Sequence, residues 1–235
     1  MLIRTLRAVV RGGLSLLMFA VFGIGALLLA PIVLCLRRPE LSQPVIRASW
    51  RLVIVLFEAT RLFRFDCDDM RGTRGAVIAA THPSLIDVVV LVARIPRVLY
   101  VAKSGLRANP FLSLVVRATA LPDDATLPER AAPYLAKGWN VLIFPEGTRS
   151  PAAGGLHPFR RGAAQLALRT GAPVVCVRMA VSRRVLGKHQ PPWDLGTETV
   201  TYSIRATTIP VRRIEGRCPH AAAVELTDEM RRILL

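Results

Sequence analysis

Between Arg11 and Arg37 the chain reads GGLSLLMFAVFGIGALLLAPIVLCL, 25 residues without a charge. A helix rises about 1.5 Å per residue, so this run is long enough to cross a hydrocarbon core about 30 Å thick. A secretory signal would have a shorter apolar core and a small-residue cleavage site. Arginines flank both ends: Arg4, Arg7 and Arg11 before the run, Arg37 and Arg38 after it. The distribution of positive charge therefore assigns no orientation. Three arrangements stay open: a transmembrane helix, a re-entrant or monotopic anchor bent at Pro31, and a soluble core helix.

Composition supports membrane attachment. The 235 residues are 52% hydrophobic with a mean hydropathy of +0.40, high for a wholly soluble enzyme. The length suits one good-sized domain with an appendage. Formal charge is +16, from 32 basic and 16 acidic side chains. Such a surface suits anionic partners. No zinc-finger spacing, RNP pattern or basic-region heptad is present, so no nucleic acid is expected as a partner. Cys35, Cys67, Cys176 and Cys218 match no metal-ligand set and no CxxC pair. Cys35 and Cys176 read as small buried hydrophobes.

The segment 42–65 reads as one amphipathic helix. Arg47, Arg51, Glu58 and Arg61 fall within about 80° of one another at 100° per residue. Trp50, Val53, Leu56, Phe57 and Leu62 occupy other sectors. The pattern fits an interfacial helix and equally a surface helix packed on its own domain. Residues 1–65 are thus expected to form membrane-anchor helices, and 66–235 a separate domain. In the latter, strands are expected at 76–80, 98–102, 141–144, 173–181 and 199–209. Helices are expected at 84–93, 109–118, 127–137, 161–170 and 221–234. Alternating strands and helices predict an α/β fold, a mixed, partly parallel sheet flanked by helices. Ligand sites in such sheets favour the carboxyl ends of strands.

Two stretches follow strands directly. In Thr81-His82-Pro83-Ser84-Leu85-Ile86-Asp87, Ser84 and Asp87 fit a capping box, which makes Asp87 a structural residue. The same geometry lets Asp87 accept from one imidazole nitrogen of His82, leaving the other to take a proton from a hydroxyl. Spacing alone does not choose between these roles. About sixty residues later, Phe144-Pro145-Glu146-Gly147-Thr148-Arg149-Ser150 ends another strand. Gly147 permits close backbone approach and Arg149 offers a planar fork for phosphate oxygens. Glu146 suits either Arg149 or a substrate hydroxyl. The bland alternative is a polar turn with a local Glu–Arg pair.

Together, HxxxxD and FPEGTRS resemble the glycerolipid acyltransferase family, over roughly residues 66–181. Weaker blocks agree: Val101-Ala102-Lys103-Ser104-Gly105-Leu106 with Asn109-Pro110-Phe111, Phe159-Arg160-Arg161-Gly162-Ala163, and Gly171-Ala172-Pro173-Val174-Val175. The resemblance implies acyl transfer from an acyl-CoA or acyl carrier protein thioester to a lysophospholipid hydroxyl, such as that of lysophosphatidic acid. It implies His82 as general base, Asp87 as its orienter, and Glu146, Gly147, Thr148 and Arg149 as acceptor-phosphate ligands. Lys103 corresponds to a lysine near the active site. No metal and no cofactor are implied; the acyl carriers are substrates. Implied partners are membrane phospholipid, a lysophospholipid and the acyl carrier. The implied location is the cytoplasmic face of the inner membrane.

Two departures bear on the acceptor. Gly105 stands where the second block often carries Glu. Ala120-Leu121-Pro122-Asp123-Asp124 brings two acids where an arginine commonly helps to bind phosphate. Bare carboxylates there would repel a phosphate, which leaves a specialised lipid acceptor open, as in acyltransferases of polyene-pigment pathways. A non-catalytic protein that binds anionic lipid is a further alternative. A hydrolase would want a protein nucleophile beside His82, and no GxSxG elbow is present. His157, His189, His220 and Trp193 are assigned no role in the site.

Overall fold

The computed structural model describes residues 2–36, 38–103, 105, 116, 119–211 and 219–235. The uncharged N-terminal run forms one helix, α1 (Leu2–Leu36), continuous through Pro31. The proline forfeits a helical hydrogen bond without ending the helix. One side of α1 packs on the protein through Leu14, Met18, Phe19, Phe22 and Val33. Its other side exposes Leu17, Val21, Ile24, Leu28 and Ile32. Cys35 is exposed on this helix, contrary to the expected burial, whereas Cys176 is buried in the sheet. Among the described residues α1 is the one helix long and apolar enough to cross a membrane.

Helix α2 (Pro39–Ala59) starts with proline in its first turn, where no N–H is required. Ile46, Trp50, Ile54 and Phe57 recur at helical spacing and are buried, so α2 packs on the domain. The helix ends earlier than the segment 42–65 suggested. Arg61 adopts a left-handed backbone, φ 53°, and the chain turns into strand β1 (Phe63–Cys67). The alternation Phe63-Arg64-Phe65-Asp66 places both aromatics inward, and this period of two prevails over continued helix.

The remaining elements are β2 (Val77–Ala80), α3 (Asp87–Arg94), β3 (Val98–Ala102), β4 (Ala120–Pro122), α4 (Leu127–Ala136), β5 (Asn140–Ile143), α5 (Gly162–Thr170), β6 (Val174–Val181), β7 (Val200–Ile209) and α6 (Pro219–Leu234). The seven strands run in the order β1-β7-β6-β2-β5-β3-β4. All neighbouring pairs are parallel except β6 with β7. The fold is therefore the expected α/β architecture, with a mostly parallel sheet. All five expected strands are present; β1 and β4 are additional. The helix expected at 109–118 falls almost wholly outside the described residues.

Strands β2 and β5 are buried along their whole length, as the centre of a parallel sheet covered on both faces requires. One face carries α1, α2 and α3 over Ile78, Tyr100 and Tyr202. The other carries α4, α5 and α6 over Val77, Val141 and Cys176.

The start of α1 is clamped to the β6–β7 connection. Arg11 donates to the carbonyls of Gly196 (3.1 Å), Arg61 (3.0 Å), Leu62 (3.3 Å) and Glu198 (2.7 Å). Ser15 Oγ donates to the Pro192 carbonyl at 2.5 Å. Gly12 faces the Trp193 backbone so closely that an added Cβ would lie 3.1 Å from its carbonyl oxygen. Hydrogen bonds from a charged donor contribute about 1.5–3 kcal/mol. Arg11→Ala is expected to lower the melting temperature by a few degrees (about 2–4 °C per kcal/mol for a chain this long). Arg7→Ala, on the exposed side, is expected to leave it unchanged. Thermal melts of the detergent-solubilised variants check both.

Candidate active site

Because β2 and β5 are parallel neighbours, the loops after them emerge side by side. His82 and Glu146 consequently meet: the His82 backbone N–H donates to Glu146 Oε1 at 3.3 Å. The Ser150 N–H donates to the His82 carbonyl at 2.7 Å and locks the two loops together.

Asp87 opens α3 and is fully buried. Its Oδ2 lies 2.9 Å from His82 Nδ1 and accepts the Ser84 N–H at 2.7 Å. The back-reach of a capping box and an orienting contact to the imidazole thus share one oxygen. The helix proper starts at Asp87 rather than Ser84. Ser84 instead forms a tight turn, its Oγ accepting from the Ile86 N–H at 3.2 Å and from the Tyr202 hydroxyl at 2.5 Å. Asp87 Oδ1 is buried and finds no hydrogen-bond partner among the described residues. Burial pushes the Asp87 carboxyl above the usual carboxylate range, against the downward pull of His82 and Ser84. With Nδ1 beside Asp87, Nε2 is the ring nitrogen left for a substrate. The Phe144 ring stacks on the imidazole with centroids 4.2 Å apart.

Glu146 is buried and has both oxygens engaged. Oε1 accepts the Ser150 hydroxyl at 2.5 Å as well as the His82 N–H, and Oε2 accepts the His157 N–H at 3.0 Å. Gly147 adopts φ 64°, and an added Cβ would lie 2.9 Å from Arg160 Nε. The left-handed turn favours glycine here, and the guanidinium of Arg160 lies directly over it. Thr148 sits half-buried in the same turn. Arg149 Nη1 donates to the carbonyls of Leu186 (2.8 Å) and Gly187 (2.9 Å). Burial lowers the Arg149 pKa while the charge of Asp87 raises it. Lys103 follows β3 and is exposed.

Several residues of this region were not legible as site residues. Arg160 approaches Gly147 and pairs with Asp123 at 3.7 Å, so that acid is not bare. Asp124 accepts from Thr126 through its N–H (2.9 Å) and hydroxyl (2.6 Å). Tyr202 and the Leu186–Gly187 carbonyls enter from distant parts of the chain, and His157 enters through its backbone N–H eleven residues after Glu146. The FRRGA block was the available signal for Arg160; nothing local announced the others.

His82 also borders an apolar cavity of about 600 Å³. Phe19, Phe22 and Leu27 of α1, Trp50, Val53 and Phe57 of α2, and Leu85 and Val89 line it. The N-terminal helices thus form one wall of the space that reaches the histidine.

The acyltransferase family profile matches residues 60–180, just over half of the chain. The chain belongs to that family, that of the glycerolipid acyltransferases. It is 26% identical over 155 residues to a chloroplastic 1-acyl-sn-glycerol-3-phosphate acyltransferase of Brassica napus, covering 60% of this chain and 45% of the relative. It is 34% identical over 110 residues to a 1-acyl-sn-glycerol-3-phosphate acyltransferase of Cocos nucifera, covering 43% of this chain and 35% of the relative. The matches thus span less than half the length of these curated relatives. The crystal structure of the 1-acyl-sn-glycerophosphate acyltransferase PlsC from Thermotoga maritima superposes with a TM-score of 0.72 at 17% identity, covering 97% of this chain and 95% of that one. That likeness shows the shared fold.

The buried Asp87 has a sign-specific consequence. A folded-state pKa above the unfolded value of about 3.9 means that its contribution to stability is present below about pH 4 and is lost as pH rises through the folded value. Asp87→Asn is therefore expected to gain on the wild type as pH rises from about 4 through the folded-state value. Chemical denaturation across that window measures the difference; a constant one contradicts the expected electrostatic cost.

Proposed function

We propose that the protein is a membrane-bound O-acyltransferase. It moves an acyl chain from an acyl-CoA or acyl carrier protein thioester to the hydroxyl of a lysophospholipid such as lysophosphatidic acid. The observation that carries this reading is the His82–Asp87 contact at the rim of an apolar cavity. A base and a long apolar space meet at one point, as transfer of a fatty chain to an alcohol needs.

In this mechanism His82 Nε2 takes the proton of the acceptor hydroxyl as its oxygen attacks the thioester carbonyl. The tetrahedral intermediate collapses, the C–S bond breaks, and the thiolate recovers the proton from the imidazolium. Asp87 holds the tautomer and stabilises the imidazolium, as the acid of a serine-protease triad does, while the substrate's alcohol replaces the serine. No cofactor or metal takes part. Arg149, Thr148 and the Gly147 turn bind the acceptor phosphate, with Lys103 at the rim. Glu146 holds the two loops together through its three internal donors, in place of the direct acceptor contact expected from sequence. The pairing of Asp123 with Arg160 favours a phosphate-bearing acceptor over the specialised-lipid alternative, because it sets a guanidinium rather than a bare acid beside Gly147.

The anchor is monotopic in this reading. Contacts from Arg11 to Val33 hold α1 along the domain, which leaves its outer apolar face for lipid rather than a free span. The enzyme sits on the cytoplasmic face of the inner membrane, where its thioester donors are found.

His82→Ala is expected to cut transfer by about 10²–10⁴-fold, the usual worth of a general base. The assay offers labelled acyl-CoA and acyl carrier protein, each with lysophosphatidic acid; equal product from variant and wild type removes the mechanism. Val53→Trp is expected to fill part of the cavity and shift preference toward shorter acyl donors. Competition between C8 and C16 donors (probe lengths of about one and two nanometres) reads that shift.

A further inference from the structure

A second cavity, about 410 Å³, lies on the opposite flank of α2 and belongs to a different end of the molecule. Strand β1 is parallel to β7, which is antiparallel to β6, itself parallel to β2. The carboxyl end of β1, at Cys67, is therefore opposite the end that carries His82. Helix α3 begins beside His82 at Asp87 and finishes at Arg94, which lines this second cavity.

Its lining is strongly charged, with four arginines against three acids. Arg47 and Arg51 come from α2, Arg94 from the end of α3, and Arg71 from the segment after β1. Arg47 Nη2 donates to the Arg94 carbonyl at 3.4 Å, but Nε is buried without a hydrogen-bond partner among the described residues. Burial lowers the Arg47 pKa, and crowding by Arg51 and Arg74 lowers it further. Three acids share the lining, Glu58, Asp68 and Asp69, and each has a partner of its own. Asp69 pairs with Arg71 at 2.9 Å, Asp68 accepts the Ala206 N–H at 2.9 Å, and Glu58 accepts the Phe65 N–H at 3.4 Å. Arg47, Arg51 and Arg94 have no carboxylate partner among the described residues. Arg47 is half-buried, and a guanidinium N–H sealed from water without an acceptor is costly, so three arginines lacking carboxylate partners call for an anion.

We propose that this cavity is a phosphate-binding site, separate from the reaction site, in which Arg47, Arg51 and Arg94 receive the phosphate of an anionic ligand. Guanidinium groups suit phosphate oxygens geometrically as well as electrostatically. A lipid headgroup and free phosphate share this chemistry. Val55, which lines the cavity, and Leu52 beside it are 57% and 59% exposed on α2, which favours a lipid whose chains lie against them.

The test is thermal melting of the full chain in dodecylmaltoside, wild type against Arg47→Gln/Arg94→Gln. The probes are inorganic phosphate, dihexanoyl phosphatidate and dihexanoyl phosphatidylcholine. The wild type is expected to gain about 5–10 °C at a hundred-fold excess over Kd, and the double variant to lose that share of the gain. Stabilisation through the reaction site is common to both proteins and cancels in the comparison. A gain specific to the wild type with phosphatidate alone assigns the site to a lipid headgroup; an equal gain with inorganic phosphate assigns it to free phosphate. Identical responses of the two proteins to every probe, or a response to phosphatidylcholine as large as to phosphatidate, overturn the proposal. Should the double variant not melt cooperatively, Arg94→Gln alone, at the end of its helix, is read by the same criteria. The readout is binding, so it stands apart from whether acyl transfer is observed.

Discussion

Val77 pairs with Val141 and Ile78 with Leu142 in parallel register, and both strands are buried on two faces. That central pairing aims the chain after β2 and the chain after β5 in the same direction. Its two loops then bind each other through the Ser150 N–H and the Glu146 carboxylate. Parallel strands of this kind need covering layers, and helices supply them on each side. The meeting of His82 with Glu146 is thus a product of sheet topology before it is a product of any one side chain.

Asp87 concentrates the electrostatic cost of the arrangement. A buried carboxylate with one unsatisfied oxygen is an expensive feature, and the fold keeps it where the ring of His82 must be held. Tyr202, Ser84 and Phe144 brace the same few ångströms. Rigid support of this type limits the motion of the imidazole.

The N-terminal helices have two duties. Their inner faces complete the cavity at His82, and their outer faces remain apolar. Arg11 ties α1 to the same β6–β7 connection whose Leu186 and Gly187 carbonyls hold Arg149. Helix α1 and Arg149 are therefore held by a single connection. Helix α2 separates two spaces of opposite character, an apolar one toward His82 and a charged, arginine-rich one toward Arg94.

The mostly parallel α/β plan was legible from runs such as Val98–Ala102, because strand and helix periodicities are local properties. The contact of His82 with Asp87 was legible as one of two roles, since five residues and a helix start suffice to bring them together. Of the two strands passed over, β4 has only three residues and is identified by its pairing with β3, whereas the alternation of β1 was absorbed into the longer helical reading of 42–65. Only tertiary structure could assign Glu146 to its internal donors, set Arg160 over Gly147, lay α1 along the domain, or gather Arg47 with Arg94. Those contacts join residues up to 187 positions apart, and their geometry depends on strand order, which linear spacing does not encode. The sequence by itself determined the chemistry available; the sheet's topology decided which of those groups face one another.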